Sequence, residues 1–157
     1  MSRPPVLLDH VVLYARYDLP ALSRQFESLG FQLTPLGRHS TGSINRLAIL
    51  DGAYIELIGF EAGASPDARP ELQRQDAGLN ALAFRSVATD QPPSYEAEHF
   101  NPTVGMERPV ASGAESGVAR FRITTLKQPV KDFRVFLCDH LTPEWIWRSE
   151  WQAHPNT

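Results

Sequence analysis

The chain has 157 residues, of which 42% are hydrophobic and 21% charged, with a formal net charge of -3. That size fits one domain with its own core and needs no disulfide staples. The single cysteine, Cys138, excludes an intrachain disulfide framework and a cysteine-rich zinc site, and the weak negative charge gives no reason to expect nucleic acid.

The first residues, Met1 to Pro5, run straight into Val6-Leu7-Leu8. No charged, apolar and small-residue leader pattern follows, and no window approaches the roughly 18 apolar residues of a membrane span. The expectation is a cytoplasmic protein without a membrane partner.

Leu7 to Ala15 reads as a strand. Asp18 stands as an N-cap before Leu19, Leu22, Phe26 and Leu29, which recur at helical spacing up to a C-cap glycine, Gly30. Phe31 to Thr34 alternates like a strand, and Gly37 to Ser43 reads as a polar loop. Ile44–Leu50 and Ala53–Phe60 are strands joined by Asp51-Gly52, a pair that favours a two-residue hairpin turn. Residues 61–77 form a connector rich in Ala, Gly, Pro and charge, with a helical turn starting at Pro70.

From Gly78 the order repeats in weaker form. Leu79–Val87 is a strand, Pro92–His99 a short helix, and Met106–Arg108 a strand before Pro109. Val118–Leu126 and Phe133–Asp139 follow as strands around the Gly113–Gly117 turn. Asp9-His10-Val11 aligns with Leu79-Asn80-Ala81, which places Asn80 at the position of His10. An internal repeat of about 70 residues follows. Module one spans 7–60, the connector 61–77, module two 78–140, and a tail 141–157 holds all three tryptophans. The tail serves as a lid, a dimer contact or part of the core, with Thr142 capping a turn that begins at Pro143.

Several side chains carry chemistry. Glu56 lies inside the apolar run Tyr54-Ile55-Glu56-Leu57-Ile58, where a carboxylate is costly unless paired or used. Alternation puts Tyr54, Glu56 and Ile58 on one face, either lining a cavity or holding a satisfied structural carboxylate. Arg38, His39 and Asn45 sit in a donor-rich loop that suits a carboxylate or other polar ligand, or else water. Arg120 and Arg122 share a strand face, toward a cavity or toward solvent. His10, Glu56 and His140 are residue types that hold a divalent metal if they converge. Cys138, in an apolar strand, reads as a buried inert thiol. Phosphate-cradling glycine loops, serine elbows and His-Glu-x-x-His runs are missing from the sequence.

Leu8-Asp9-His10-Val11-Val12, Phe26 to Phe31, Arg38-His39 through Asn45, and Tyr54 to Ile58 resemble the glyoxalase-like branch of the vicinal oxygen chelate superfamily. Arg108-Pro109-Val110, Ala119-Arg120-Phe121 and His140 to Glu144, continuing through Trp147 to Trp151, resemble it in the second half. The resemblance implies an α+β fold: two β-α-β-β-β modules forming a curved mixed sheet around an open cavity, the glyoxalase/bleomycin resistance/dioxygenase fold. Within such a cavity the residue types lead us to expect a small polar or carbonyl-containing ligand bound by Arg38, His39, Asn45, Arg120, Arg122, Glu144 and Trp147. The resemblance implies a divalent ion on His10, Glu56 and His140, with Glu56 alternatively a general base, and a homodimer. The activity it implies is a metal-dependent lyase, isomerase or dioxygenase; the alternative is metal-free binding or sequestration. It further implies that longer relatives continue past Thr157.

Overall fold

The computed structural model describes residues 5–87, 98–131 and 133–156. Module one opens with β1 (Val6–Tyr14) and α1 (Leu19–Ser28) and adds β2 (Gly37–Arg38), β3 (Ile44–Ile49) and β4 (Tyr54–Gly59). After α2 (Pro70–Gln73), module two supplies β5 (Gly78–Ser86), β6 (Val104–Ser112), β7 (Glu115–Thr125) and β8 (Arg134–His140). The expected helix at Pro92–His99 lies almost wholly outside the described residues.

The eight strands form one mixed sheet in the order β2-β3-β4-β1-β5-β8-β7-β6. Within each module the first strand pairs parallel with the last, β1 with β4 and β5 with β8, and β1 and β5 join the modules antiparallel. The sheet curls until β2 comes back against β6. The result is the curved, nearly closed α+β architecture that the sequence led us to expect.

Strand alternation sorts the side chains into two cores. On the concave face, Val12, Tyr14, Leu47, Tyr54 and Ile58 of module one meet Ala81, Ala83, Phe121, Phe136 and Cys138 of module two. On the convex face of module one, Leu57, Ile44 and Ala48 meet Leu19, with Leu22 and Phe26 alongside, which is why α1 carries its apolar residues at helical spacing. α1 ends as its sequence predicts. Gly30 takes φ +91°, Phe31 N–H donates to the Phe26 carbonyl at 3.1 Å, and the two phenyl rings pack with centroids 5.2 Å apart.

Five local expectations change. Asp18 makes no side-chain cap; only its carbonyl enters the helix, accepting from Leu22 N–H. Phe31–Thr34 forms no ladder, because only Thr34 engages β3, through two hydrogen bonds with Leu47. Gly37-Arg38 is instead a short strand against Asn45 and Ile44. Thr142 does not cap the turn at Pro143; its hydroxyl accepts from Arg120 N–H and donates to the Val118 carbonyl. Pro109, expected to end a strand, lies inside β6, which tolerates it because β6 is an edge.

Of the three roles open to the tail, the structure shows core packing. Ile146 and Trp151 are buried in the concave core, and Trp145 lies on Gly117, where a Cβ would overlap the indole. The tail then crosses to module one: the Glu150 carbonyl accepts from Gln32, and His154 Nε2–H donates to the Ile49 carbonyl at 2.9 Å.

Candidate functional site

The concave face holds a cavity of about 100 Å³. Its floor is apolar, from Val12, Leu47, Leu72, Phe121 and Phe136. Tyr54, Glu56 and Ile58 all line it, so the alternation read in β4 places Glu56 on the cavity side.

Two imidazoles surround the Glu56 carboxylate. His10 Nε2 is 3.8 Å from Oε2 and His39 Nε2 3.9 Å from Oε1, and the Asn45 amide donates to Oε1 at 2.8 Å. Burial pushes the Glu56 pKa up, but the imidazoles, the Asn45 hydrogen bond and the Arg69 charge outweigh it and hold the group below its ordinary value. Glu56 is therefore an ionised acceptor at neutral pH. His39, also buried, is pushed down by desolvation against the pull of Glu56.

Asp9 stands behind His10. It is fully buried, takes His10 Nδ1 at 2.6 Å, lies 3.0 Å from His140 Nε2, and accepts from Arg85 Nη1 at 3.2 Å. Burial alone would raise its pKa; hydrogen bonds and charge from the two histidines bring it far below the carboxylate range. An ionised Asp9 only accepts, so His10 must give it Nδ1–H. That fixes the tautomer in which neutral His10 presents a lone pair on Nε2 toward Glu56 and the cavity.

The backbone explains why neighbours Asp9 and His10 are both buried. The β1–β5 register passes from Leu8↔Phe84 to His10↔Ala83, and from Val12↔Ala81 to Leu13↔Leu79. Asp9 on β1 and Asn80 on β5 are thus extra residues of two symmetric bulges, where the local twist lets successive side chains turn inward. This corrects the alignment of the modules. Asn80 is the counterpart of Asp9, and His10 corresponds to Ala81. By the same 71-residue offset, from the register pairs Val12↔Glu56 and Ala83↔Phe136, Glu56 corresponds to Phe136.

The structure disperses the other expected site residues. His39 and Asn45 line the cavity. Arg38 is exposed and pairs bidentately with Glu61 at 2.7 and 2.8 Å. Arg120 is exposed beside Glu107, and Glu144 is exposed on the tail. Arg122, His140 and Trp147 line a different cavity, beyond Asp9. In place of the exposed arginines the cavity holds Arg69, Arg108 and Arg134. Arg69 reaches Glu71 and Ser43, whereas Arg108 and Arg134 make no hydrogen bond or ion pair among the described residues. Desolvation lowers the pKa of both. Arg134 was legible in principle, since it shares the inward face of β8 with Phe136 and Cys138.

The donors do not fit a metal held by both modules. His10 and Glu56 are close enough to share an ion, but Ala81 and Phe136 occupy the equivalent places in module two. His140 reaches Asp9 rather than Glu56, and three guanidiniums share the cavity. Among the described residues, Asp9, Cys138 and His140 bring one donor atom each within 4.8 Å of one another. Asp9 is already engaged by two imidazoles and Arg85. The Cys138 thiol is pushed well up by burial and then by the charges of Asp9, Glu56 and Asp139, away from the thiolate a metal binds.

Comparison with known proteins agrees with this architecture. The fold matches a hypothetical protein from Staphylococcus aureus at 17% identity and TM-score 0.64, covering 87% of this chain and 60% of that one. This chain thus spans less than two thirds of that neighbour's length. Methylmalonyl-CoA epimerase from Mycobacterium tuberculosis matches at 24% identity and TM-score 0.51, covering 84% and 86% of the two chains. A hypothetical protein from Bacillus halodurans C-125 matches at 17% identity and TM-score 0.53, covering 85% and 94%. No curated protein sequence matches. The family described as glyoxalase-like domain matches residues 8–157, nearly the whole chain, and the protein therefore belongs to that family.

Proposed function

We propose that the concave cavity binds a small molecule bearing a carboxylate and a carbonyl, and that Glu56 and His10 move a proton on it in an isomerase or lyase reaction. The observation that carries this reading is the placement of Glu56 and His10 Nε2, 3.8 Å apart, on the wall of a cavity that also holds two guanidiniums without a hydrogen-bond or ion-pair partner among the described residues.

Arg108 and Arg134 are costly to bury without an anion, and a carboxylate matches the guanidinium fork. The apolar floor takes the hydrocarbon part of the ligand. Asp9 orients His10 so that its free lone pair faces the substrate, and Glu56 is held ionised. Either group removes the proton from the carbon next to the carbonyl, and the same group, now carrying that proton, returns it to carbon. The guanidiniums stabilise the negative charge that develops on the carbonyl oxygen. His39 and Asn45 keep Glu56 in place. One neighbour of the fold is named an epimerase, a class of reaction that also moves a proton at carbon.

Metal-free binding or sequestration is the second reading, favoured by the same arginines and apolar floor. Proton NMR in D2O with a panel of 2-oxo and 3-oxo acids separates the two. The expected result is exchange of protons next to the carbonyl, lost in Glu56→Gln with binding retained, and weakened binding in Arg108→Gln. Binding without exchange in the wild type would leave the sequestration reading, and no binding of any oxo acid would overturn both.

A further inference from the structure

Beyond Asp9 lies a second cavity of about 750 Å³, lined among others by Arg85, Ser86, Arg122, Asp139, His140, Trp147 and Gln152. Three of its residues carry buried polar atoms with no partner among the described residues: Arg122 Nε, His140 Nδ1 and Trp147 Nε1. Buried polar groups are rarely left unmatched, and three around one cavity signal a missing partner. Of the other polar groups two are engaged within the protein, while the exposed Asp51 also lines the cavity. Asp139 accepts from Ser86 N–H at 2.8 Å and from its hydroxyl at 2.9 Å, while Arg85 bonds Asp9 and lies over the Trp147 ring, 5.1 Å from its centroid.

We propose that this second cavity is a binding site for a small oxyanion that carries a hydroxyl, a hydrogen phosphate or a hydroxycarboxylate. The chemistry of the three atoms selects that class. Arg122 Nε–H and Trp147 Nε1–H only donate, so they ask for acceptor oxygens. His140 spends Nε2–H on ionised Asp9, so in its neutral form Nδ1 is an acceptor and asks for a hydroxyl proton. A ligand with both an anionic oxygen and an O–H satisfies all three; a plain carboxylate leaves Nδ1 unmet unless His140 takes up a proton. The imidazole is fixed for this task by Asp9 below it, by Trp147 at a centroid distance of 4.8 Å and by Phe121 at 5.0 Å. The site is separated from the first cavity by Asp9, His10 and Tyr54, and the inference is independent of the chemistry proposed there.

The test is NMR titration of the intact protein, following the Trp147 indole N–H and the His140 imidazole resonances, with inorganic phosphate, with 2-hydroxypropanoate and with acetate. Saturable shifts of both resonances with phosphate or 2-hydroxypropanoate are expected, and the tighter of the two identifies the ligand class. Acetate, which lacks the hydroxyl, binds more weakly. Arg122→Gln weakens binding by about tenfold or more, the loss of a charged hydrogen bond, and Trp147→Phe, which keeps the ring stacking, by about fivefold. Glu56→Gln leaves the affinity unchanged. Absence of saturable shifts, or an unaltered titration in both Arg122→Gln and Trp147→Phe, overturns the proposal. A titration lost in Glu56→Gln but kept in Arg122→Gln also overturns it, by locating the anion in the first cavity.

Discussion

Module one and module two share strand order and register, yet they spend their inward positions differently. At equivalent places module one has Asp9, His10 and Glu56, and module two has Asn80, Ala81 and Phe136. One half concentrates titratable groups; the other supplies apolar walls and guanidiniums, Arg108 and Arg134, that face them across the cavity. The modules also differ on their convex sides. Module one buries Leu57 against Leu19 of α1, while Leu79 of module two is exposed. Backbone symmetry is thus compatible with chemical polarity: one module carries most of the cavity's titratable groups and the other its apolar walls and two of its guanidiniums.

The sharpest test of that division sets the bulge residues against each other. Asp9→Ala removes the acceptor shared by two imidazoles and Arg85, and should cost about 3 kcal/mol or more. Asn80→Ala removes a hydrogen bond to Gln75 and an unpartnered Oδ1, and should cost about 1 kcal/mol. Urea unfolding measures both, and equal losses would contradict the asymmetry.

The convex faces give the next contrast. Leu57→Ala should destabilise by about 3 kcal/mol through the cavity it leaves beneath α1. Leu79→Ala, exposed, should stay within about 0.5 kcal/mol.

Acid titration gives a third. Asp9 and Glu56 are held below their ordinary values in the fold, so unfolding lets them take up protons more readily. The stability they add is present above the ordinary carboxylate range and is lost as pH falls toward their folded values. Asp9→Asn should flatten the acid side of the melting-temperature profile, and Asn80→Ala should leave its slope unchanged.

Divalent metal should have the smallest effect. An ion bound at about 100 times its Kd would add about 2.7 kcal/mol. Zinc, nickel and manganese should instead leave the melting temperature of the wild type unchanged, because module two lacks the second pair of donors.

Much of this was legible in the residues. The Asp51-Gly52 hairpin, the Gly30 stop and the Tyr54-Glu56-Ile58 face follow from rules of turn chemistry and strand period, which act over a few residues. The bulges were not legible. An extra residue leaves no mark in composition, and simple alternation puts Asp9 and His10 on opposite faces. That one slip displaced the repeat alignment by a residue, setting Asn80 against His10. Arg38 and Arg120 were read as ligand donors because their type suits an anion, but residue type does not reveal a neighbour such as Glu61 or Glu107 that takes the charge first. His140 shares its parity with Arg134, Phe136 and Cys138, yet lies far enough along β8 to pass Asp9 and enter the other cavity.

The return of β2 against β6 has a mechanical consequence. These are the two ends of the strand order, and no ladder joins them. At that seam an added Cβ on Gly37 would come 2.3 Å from the Asn45 amide oxygen and 2.9 Å from the Arg108 guanidinium. Everywhere else around the sheet, widening the cavity would break rows of backbone hydrogen bonds. At the seam no ladder resists it, only side chains and the hydrogen bonds by which the tail ties the modules together, so the protein is built like a spring clip whose jaws part along one line. Arg108 sits in those jaws, and a side chain larger than glycine at position 37 would wedge them open.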